Sequence, residues 1–170
     1  AYARHFPAID WLASYSLYLD SLGAWYAEEV YPQWNRQRER AMQILQEESE
    51  LEEIVRLVGM DALSWKDRLT MEVARSIRED FLHQNAFDEV DTYTSLEKQY
   101  KMLKLILAYE ERGRAALDGG AVLSRLLDLP VREQIARAKY IPEDSLDRFD
   151  MLEEELARQG AALYQEEGMN

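Results

Sequence analysis

Cysteine is absent from this 170-residue chain, and the only histidines are His5 and His83. Disulfides are therefore excluded. A catalytic pair of nucleophile and base is also poorly supported, since no Gly-x-Ser-x-Gly turn occurs. Only four prolines and seven glycines interrupt long windows rich in Leu, Ala, Glu, Arg and Gln. This composition predicts an all-α fold, a helical bundle with almost no room for strands.

An excess of positive charge is missing too, because 33 acidic residues outweigh 20 basic ones and give a net charge of −13. Such a chain repels phosphate backbones, and no basic patch is visible, so we expect no nucleic-acid partner. The longest apolar stretches, such as residues 102–109, are interrupted by charges like Lys104. They are far shorter than the roughly 20 residues of a membrane span, and we expect no direct membrane insertion.

Two kinds of enzyme site are missing as well. A P-loop ends in Gly-Lys-Ser/Thr, and no glycine here is followed by lysine. A di-iron bundle needs Glu-x-x-His from two helices, whereas only Asp80 and His83 approximate that spacing once. We therefore predict no catalytic residue, no metal and no cofactor in this chain, and we expect His83 to be a surface residue near a helix end.

Capping residues divide the chain into helices joined by short connections. Serines predict three helix starts, at Ser49, Ser64 and Ser95. The first pairs with Glu52 in a capping box, and its short helix continues over residues 51–58 and ends at Gly59. The helix from Ser95 ends at residues 119–120, a glycine pair. Prolines fit three further first helical positions, at Pro32, Pro130 and Pro142.

Apolar residues recur every three or four positions along three of these helices, which predicts the faces they bury. The second helix carries Trp65, Leu69, Val73, Ile77 and Phe81; the third carries Leu96, Tyr100, Leu103 and Leu107; the last carries Leu146, Phe149, Leu152 and Leu156. We assign residues 21–170 to one bundle. Residues 1–20 are aromatic and lack an initiator methionine, so we expect them to pack on another domain of a longer chain.

Three stretches resemble a known family. Residues 4–16 read RHFPAIDWLASYS, residues 54–70 read IVRLVGMDALSWKDRLT, and residues 81–93 read FLHQNAFDEVDTY with EKQY at 97–100. In this order they are similar to the C-terminal helical domain of the catalytic A (alpha) subunit of archaeal A-type and vacuolar V-type rotary ATP synthases. The resemblance implies that residues 1–20 connect this bundle to an upstream nucleotide-binding domain.

The resemblance implies that the second stretch corresponds to the acidic DELSEED lever of F-type beta subunits and would touch the rotor. The resemblance assigns this role to a lever segment, residues 61–67: Asp61, Ala62, Leu63, Ser64, Trp65, Lys66 and Asp67. Ala62, Trp65 and Lys66 stand where the F-type pattern has acids, so we expect contact through shape and apolar surface. For Trp65 the alternative is core packing at the start of an amphipathic stripe.

The resemblance of the third stretch implies that Phe87 lies beside the adenine of a bound nucleotide, and that Tyr93 corresponds to another such aromatic. An aromatic ring that stacks on a purine adds about 1 to 3 kcal/mol. The alternative for Phe87 is that it plugs the end of the bundle. The family's phosphate loop, metal ligands and catalytic carboxylate would lie upstream, so ATP and Mg belong to the full subunit.

The resemblance also implies partners and a location. Noncatalytic B subunits would alternate with this subunit in a ring, and central-stalk rotor subunits would meet the lever segment. The complex would be cytoplasmic and peripheral to the membrane, and it would couple ATP synthesis or hydrolysis to ion translocation. The competing hypothesis is an autonomous helical protein-interaction module, for which the aromatic residues 1–20 are an unexpected start.

Overall fold

The computed structural model describes residues 33–83, 90 and 94–165. The predicted connecting segment 1–20, Pro32, Phe87 and Tyr93 lie outside the described residues, and the boundary at residue 20 stays a prediction. Over the described part of the chain every regular element is helical, which confirms the all-α fold class.

Six α-helices, one π-helical segment and three 3₁₀ turns make up the described part of the chain. Helix α1 is Trp34–Val58, α2 is Trp65–Ser76, α3 is Leu96–Asp118, α4 is Leu123–Leu127, α5 is Val131–Ala136 and α6 is Asp147–Gln165. Helix α2 continues directly into a π-helical segment, Ile77–Leu82. Single 3₁₀ turns occupy Met60–Ala62, Ala138–Tyr140 and Glu143–Ser145.

One hydrophobic core joins these helices. Five different helices each contribute a side chain with an exposed fraction of 0%: Ile44, Leu69, Leu105, Val131 and Phe149. Helices α1, α2 and α3 pack on one another, and α6 lies along α3. Close approach of α2, α3 and α4 is possible at Gly113, where an added Cβ would meet Leu126 and Leu69 at 2.9 and 3.0 Å.

A partly buried ion-pair network ties α1 to α3. The Arg40 Nη2 donates to Glu110 Oε1 at 2.6 Å, and Arg114 donates to the same carboxylate from one turn further along α3. Burial alone would raise the pKa of Glu110, but the hydrogen bonds from Arg40 and Arg114 outweigh it and leave the pKa lowered. Glu110 is therefore a charged member of the core.

The predicted helix start at Ser49 is wrong, because α1 runs unbroken from Trp34 to Val58. Core residues lie immediately before the serine: Leu45 is buried, and Glu48 is a buried carboxylate that accepts from Arg78. Tertiary contacts thus hold the chain helical up to Ser49, and the helix continues through a residue that is otherwise favoured at a cap. The predicted end is confirmed, since Gly59 has φ of 90° and donates its N–H to Val55 O at 2.9 Å.

The other predicted serine caps are confirmed. Ser95 Oγ accepts the Lys98 N–H at 3.1 Å, and Ser64 accepts the Asp67 N–H. Helix α3 ends at Gly119, and Gly120 follows with φ of 98°. The prolines are shifted from their predicted positions. Pro130 is the N-cap of α5 rather than its first residue, and Pro142 precedes a 3₁₀ turn, so α6 begins only at Asp147.

The predicted stripes are confirmed for α6 and for most of α2. Phe149 and Leu156 are buried on α6, as are Leu69, Val73 and Ile77 on the α2 stripe. The stripe on α3 is partly wrong. Leu103 is buried as predicted, but Leu96 is 38% exposed. The buried face also includes residues that the stripe left out: Lys98, Met102, Leu105 and Tyr109. Helix α3 is covered by α1 and α2 on one side and by α6 on another, which moves the centre of its buried face.

Candidate functional site

The turn between α1 and α2 is held in one shape by local hydrogen bonds. Gly59 reverses the chain with φ of 90° and ψ of 165°, a combination that is open to glycine and strained for other residues. The 3₁₀ turn Met60–Ala62 follows and is closed by the Leu63 N–H, which donates to Met60 O at 3.1 Å. Leu63 itself is only 7% exposed, so it anchors the turn to the protein.

A capping box starts α2 immediately after this turn. Ser64 Oγ accepts the Asp67 N–H at 3.2 Å, and Asp67 Oδ2 accepts the Ser64 N–H at 3.3 Å and its hydroxyl at 2.7 Å. These reciprocal bonds satisfy amide groups that would otherwise be unpaired at the helix start. Two helices are thereby joined by a short, internally bonded connection.

Large apolar side chains are exposed around this connection. We call them the tip surface: Leu57 is 83% exposed, Val58 66%, Met60 45% and Trp65 61%. A single exposed apolar residue is ordinary, but four within nine positions form a patch of the kind found at interaction sites. Trp65 is therefore not a core residue, and the core-packing alternative for it is wrong.

Charges near the tip surface balance one another. The negative charges of Asp61 and Asp67 are equal in number to the positive charges of Lys66 and Arg68. Residues 57–68 therefore have a net charge of zero, whereas the whole chain has a net charge of −13. Arg68 Nη2 lies 3.1 Å from Asp61 Oδ1, and the Arg68 guanidinium lies 5.0 Å from the centre of the Trp65 ring. Lys66 pairs with Asp118 at the end of α3. The lever segment thus offers apolar area rather than a block of acid.

A groove continues the tip surface onto the loop after α3. It has a volume of about 730 Å³ and lies between the start of α2 and residues 117–127, with Trp65, Leu117 and Val122 among its lining residues. Val122 is 54% exposed. The groove widens the apolar area at this end of the bundle beyond the seven residues of the lever segment.

A second, smaller cavity of about 270 Å³ lies between α2, α3 and α5 and has charged walls. Glu72 accepts from Arg75 at 2.7 Å and from Arg132 at 2.9 Å, and these bonds outweigh burial and lower its pKa. Burial raises the pKa of Tyr109 to about 12, and its hydroxyl donates to Leu126 O at 3.0 Å. The bond from Arg132 to Glu72 links α5 to α2, and the Tyr109 hydroxyl is bonded to a backbone carbonyl. Neither Glu72 nor Tyr109 is therefore an activated nucleophile.

No group of three or more His, Cys, Asp or Glu side chains suited to a metal occurs among residues 33–83, 90 and 94–165. Asp80, one half of the Glu-x-x-His-like pair, accepts from Ser76 Oγ at 2.5 Å, and burial raises its pKa. His83 is exposed at the end of the π-helical segment, as predicted. Within the described helices, none has the length and apolarity needed to cross a bilayer.

The structure brings all seven residues of the lever segment together at one end of the bundle, whereas Phe87 and Tyr93 lie outside the described residues. Sequence reasoning missed Leu57, Val58 and Met60. A signal for them was present, because adjacent apolar residues in the last turn before a glycine cannot all face one core.

Comparison with known proteins agrees with the resemblance seen in the sequence. Residues 23–120 match the family model described as the C-terminal domain of V and A type ATP synthase. The V-type ATP synthase alpha chain of Acetivibrio thermocellus is 61% identical over 168 residues, which is 98% of this chain and 28% of that protein.

Two further alpha chains give the same picture. That of Clostridium novyi is 58% identical over 170 residues, 99% of this chain and 29% of its own length. That of Thermoanaerobacter pseudethanolicus is 58% identical over 158 residues, 93% of this chain and 27% of its own. This chain thus spans between a quarter and a third of each relative. Its sequence and its helical fold place it in the family of C-terminal domains of V- and A-type ATP synthases.

Proposed function

We propose that this chain is the C-terminal domain of the catalytic subunit of a rotary A/V-type ATP synthase or ATPase. It couples ATP synthesis or hydrolysis in the full subunit to rotation of the central stalk and so to ion translocation. The observation that supports this most directly is the tip surface, an apolar patch on a stiff turn at one end of an otherwise acidic bundle.

A lever needs a contact surface and a rigid connection to the body that moves it. The tip surface supplies the first. The second is supplied by α1 and α2, which flank the turn and continue into the shared core through residues such as Ile44 and Leu69. Because a packed core does not deform continuously, a rotation of the bundle would be delivered at the tip as a displacement of the partner.

The chain supplies no chemistry of its own in this proposal. ATP and Mg are held by the upstream nucleotide-binding domain, noncatalytic B subunits alternate with the catalytic subunits in a ring, and the whole ring is cytoplasmic and peripheral to the membrane. The isolated 170 residues hydrolyse nothing. We further propose that Phe87, with Tyr93 beside it, meets the adenine ring from the C-terminal side.

The test uses the assembled complex with Trp65→Ala in every catalytic subunit. The matched control is Met151→Ala, because Met151 is 64% exposed on α6, close to the 61% of Trp65, and belongs to another face. ATP hydrolysis and ion pumping are measured on the same preparation. We expect Trp65→Ala to lower the number of ions pumped per ATP by about half or more, as expected for the loss of a central aromatic contact.

The KM for ATP should be unchanged in both variants, since neither residue meets nucleotide. Equal ion-to-ATP ratios for Trp65→Ala, Met151→Ala and the unmodified complex would refute the role of the tip surface in coupling.

A further inference from the structure

The groove beside the tip surface extends the apolar area onto a part of the chain outside the lever segment. Its volume of about 730 Å³ lies within the range of about 300–1,000 Å³ that is typical of binding pockets. Trp65 lines it from α2, and Val122 lines it from the loop after α3. Both side chains are more than half exposed. The groove is therefore continuous with the tip surface through Trp65.

The wall of the groove that carries Val122 is held in one shape by the end of α3. The two hydrogen bonds of a Schellman motif close this end: the Ala121 N–H donates to Ala116 O at 2.9 Å, and the Gly120 N–H donates to Leu117 O at 3.1 Å. Gly120 has the positive φ that this motif requires, 98°. Val122 follows directly, so its place beside the groove is fixed by backbone bonds.

Helix α4 fixes the same wall from its other side. Leu123 and Leu126 are buried, and the Tyr109 hydroxyl of α3 donates to Leu126 O at 3.0 Å. A wall that is already ordered loses little conformational entropy when a partner binds. The groove is thus formed before any partner arrives.

Val122 occupies a position at which local chemistry does not favour valine. It is the N-cap of α4 and makes no side-chain cap hydrogen bond, whereas serine, threonine, aspartate and asparagine are preferred there. Its side chain is also 54% exposed, so core packing does not account for it. Residues that break a local rule without a gain within the fold are expected at functional sites. Val122 is thus an indication of a contact that does not depend on the tip surface.

The charges along the groove favour an acidic partner. Among the described residues that line it, Lys66 and Arg68 are cations and none is an acid. Their own partners, Asp118 and Asp61, are exposed and lie outside the lining, and exposed ion pairs contribute little. Arg68 also has a buried Nε–H that finds no acceptor in the described part of the chain. The groove therefore attracts a carboxylate, although the whole chain has a net charge of −13.

We propose that the groove is a second contact for the central stalk and takes a large apolar side chain of a stalk helix between Trp65 and Val122. An acidic side chain one turn away on that helix meets Lys66 and Arg68, as expected when an amphipathic helix lies in a groove. This inference rests on the proposed function of the tip surface. It assigns contact with the stalk to the loop after α3, which lies outside the lever segment.

The first test is site-specific crosslinking in the assembled complex. Val122→Cys gives this cysteine-free chain one attachment point for a photoactivatable crosslinker. Met151→Cys is the matched control, because Met151 is 64% exposed and lies on another face, on α6. We expect a product with a stalk subunit from position 122 and none from position 151. Peptide mapping should place the attachment in a stalk helix that carries an acidic residue within one turn.

The second test separates contact from stability. Val122→Ser supplies the missing cap and removes the apolar side chain, so it should raise the Tm of this chain by about 2–4 °C. In the assembled complex the same variant should lower the number of ions pumped per ATP, by less than Trp65→Ala does. Val122→Ile keeps the apolar surface and should leave this ratio unchanged. A purely structural role of Val122 predicts instead that the better cap leaves the ratio unchanged.

The inference would be overturned by an unchanged ion-to-ATP ratio for Val122→Ser, or by the absence of a stalk product from position 122. A product with a neighbouring subunit of the ring alone, or with a stalk segment that lacks an acidic residue, would also overturn it. Leu57→Cys separates the two levels. Stalk products from position 57 but not from 122 refute only the groove contact, whereas their absence at both positions refutes the role of the tip surface itself.

Discussion

Replacement of Gly59 by alanine isolates the backbone conformation on which the turn before α2 depends. Gly59 has φ of 90°, and an added Cβ there would meet no atom within 4 Å. Steric clash with the rest of the protein is therefore absent. An L-residue held in this region costs of the order of 1–3 kcal/mol. Alanine also restricts the unfolded chain, which returns about 0.4–1 kcal/mol. We expect a net loss of about 1–2 kcal/mol in the free energy of unfolding.

Gly160 supplies a matched control within the same chain. It lies inside α6, and a Cβ there would also meet nothing within 4 Å. Alanine is the better helix former by about 1 kcal/mol, so Gly160→Ala should stabilise the protein by up to that amount. The same Gly→Ala change, made at two positions where the added methyl group meets no atom, is thus expected to change the free energy of unfolding in opposite directions.

Urea denaturation followed by circular dichroism measures both variants against the unmodified chain. In a protein of this size, 1 kcal/mol corresponds to about 2–4 °C in Tm, so thermal unfolding gives an independent check. A stabilised or unchanged Gly59→Ala would refute the claim that the turn requires a positive φ. A shift of both variants in the same direction would refute it equally.

Further substitutions test the core and its charges. Glu110→Gln should cost about 1–3 kcal/mol at pH 7, because it removes the buried carboxylate shared by Arg40 and Arg114 and leaves Arg40 with Glu47 alone as its acidic partner. Because the pKa of Glu110 is lowered in the folded protein, its ionised form stabilises the fold at pH values above the ordinary pKa of 4.5. This stabilisation is lost as pH falls through the folded pKa. In urea titrations the cost of Glu110→Gln should therefore be smaller at pH 3 than at pH 7. The pKa of Glu48 is shifted in the opposite direction, because burial raises it despite the hydrogen bond from Arg78. The stabilisation linked to this shift is lost as pH rises. Glu48→Gln should therefore cost less than Glu110→Gln at pH 7. Leu69→Ala should cost about 2–5 kcal/mol as a core truncation, whereas Trp65→Ala should change stability by less than about 1 kcal/mol in the same assay.

Local signals in the sequence predicted the helical class and several helix ends. Ser64 with Asp67, Ser95, and the glycines at 59 and 119–120 act through bonds within a few residues, so their effect is readable from spacing alone. Ser49 carried the same local signal and gave a wrong boundary. What decides at Ser49 is packing of α1 against distant helices, which spacing within the sequence does not contain.

At the candidate site too, local features could be predicted from the sequence, whereas features set by distant packing could not. The resemblance predicted the lever segment, whose contact with the rotor stays a prediction, and the capping box could be predicted from the residues. The exposure of Trp65 could not, because it begins a regular apolar stripe and only the end of the bundle leaves it uncovered. The burial of two lysines, Lys98 at 0% exposed and Lys139 at 9%, was missed for a related reason. Their partners are backbone carbonyls 41 to 60 positions away, and no residue pattern marks such carbonyls.

Site-specific crosslinking in the assembled complex tests the central claim most directly. Because the chain has no cysteine, Leu57→Cys, Trp65→Cys and the control Met151→Cys each introduce one unique attachment point in this chain for a photoactivatable crosslinker. Our account predicts products with central-stalk subunits from positions 57 and 65 and none from position 151. Stalk products absent at 57 and 65, or equally abundant at 151, would contradict it.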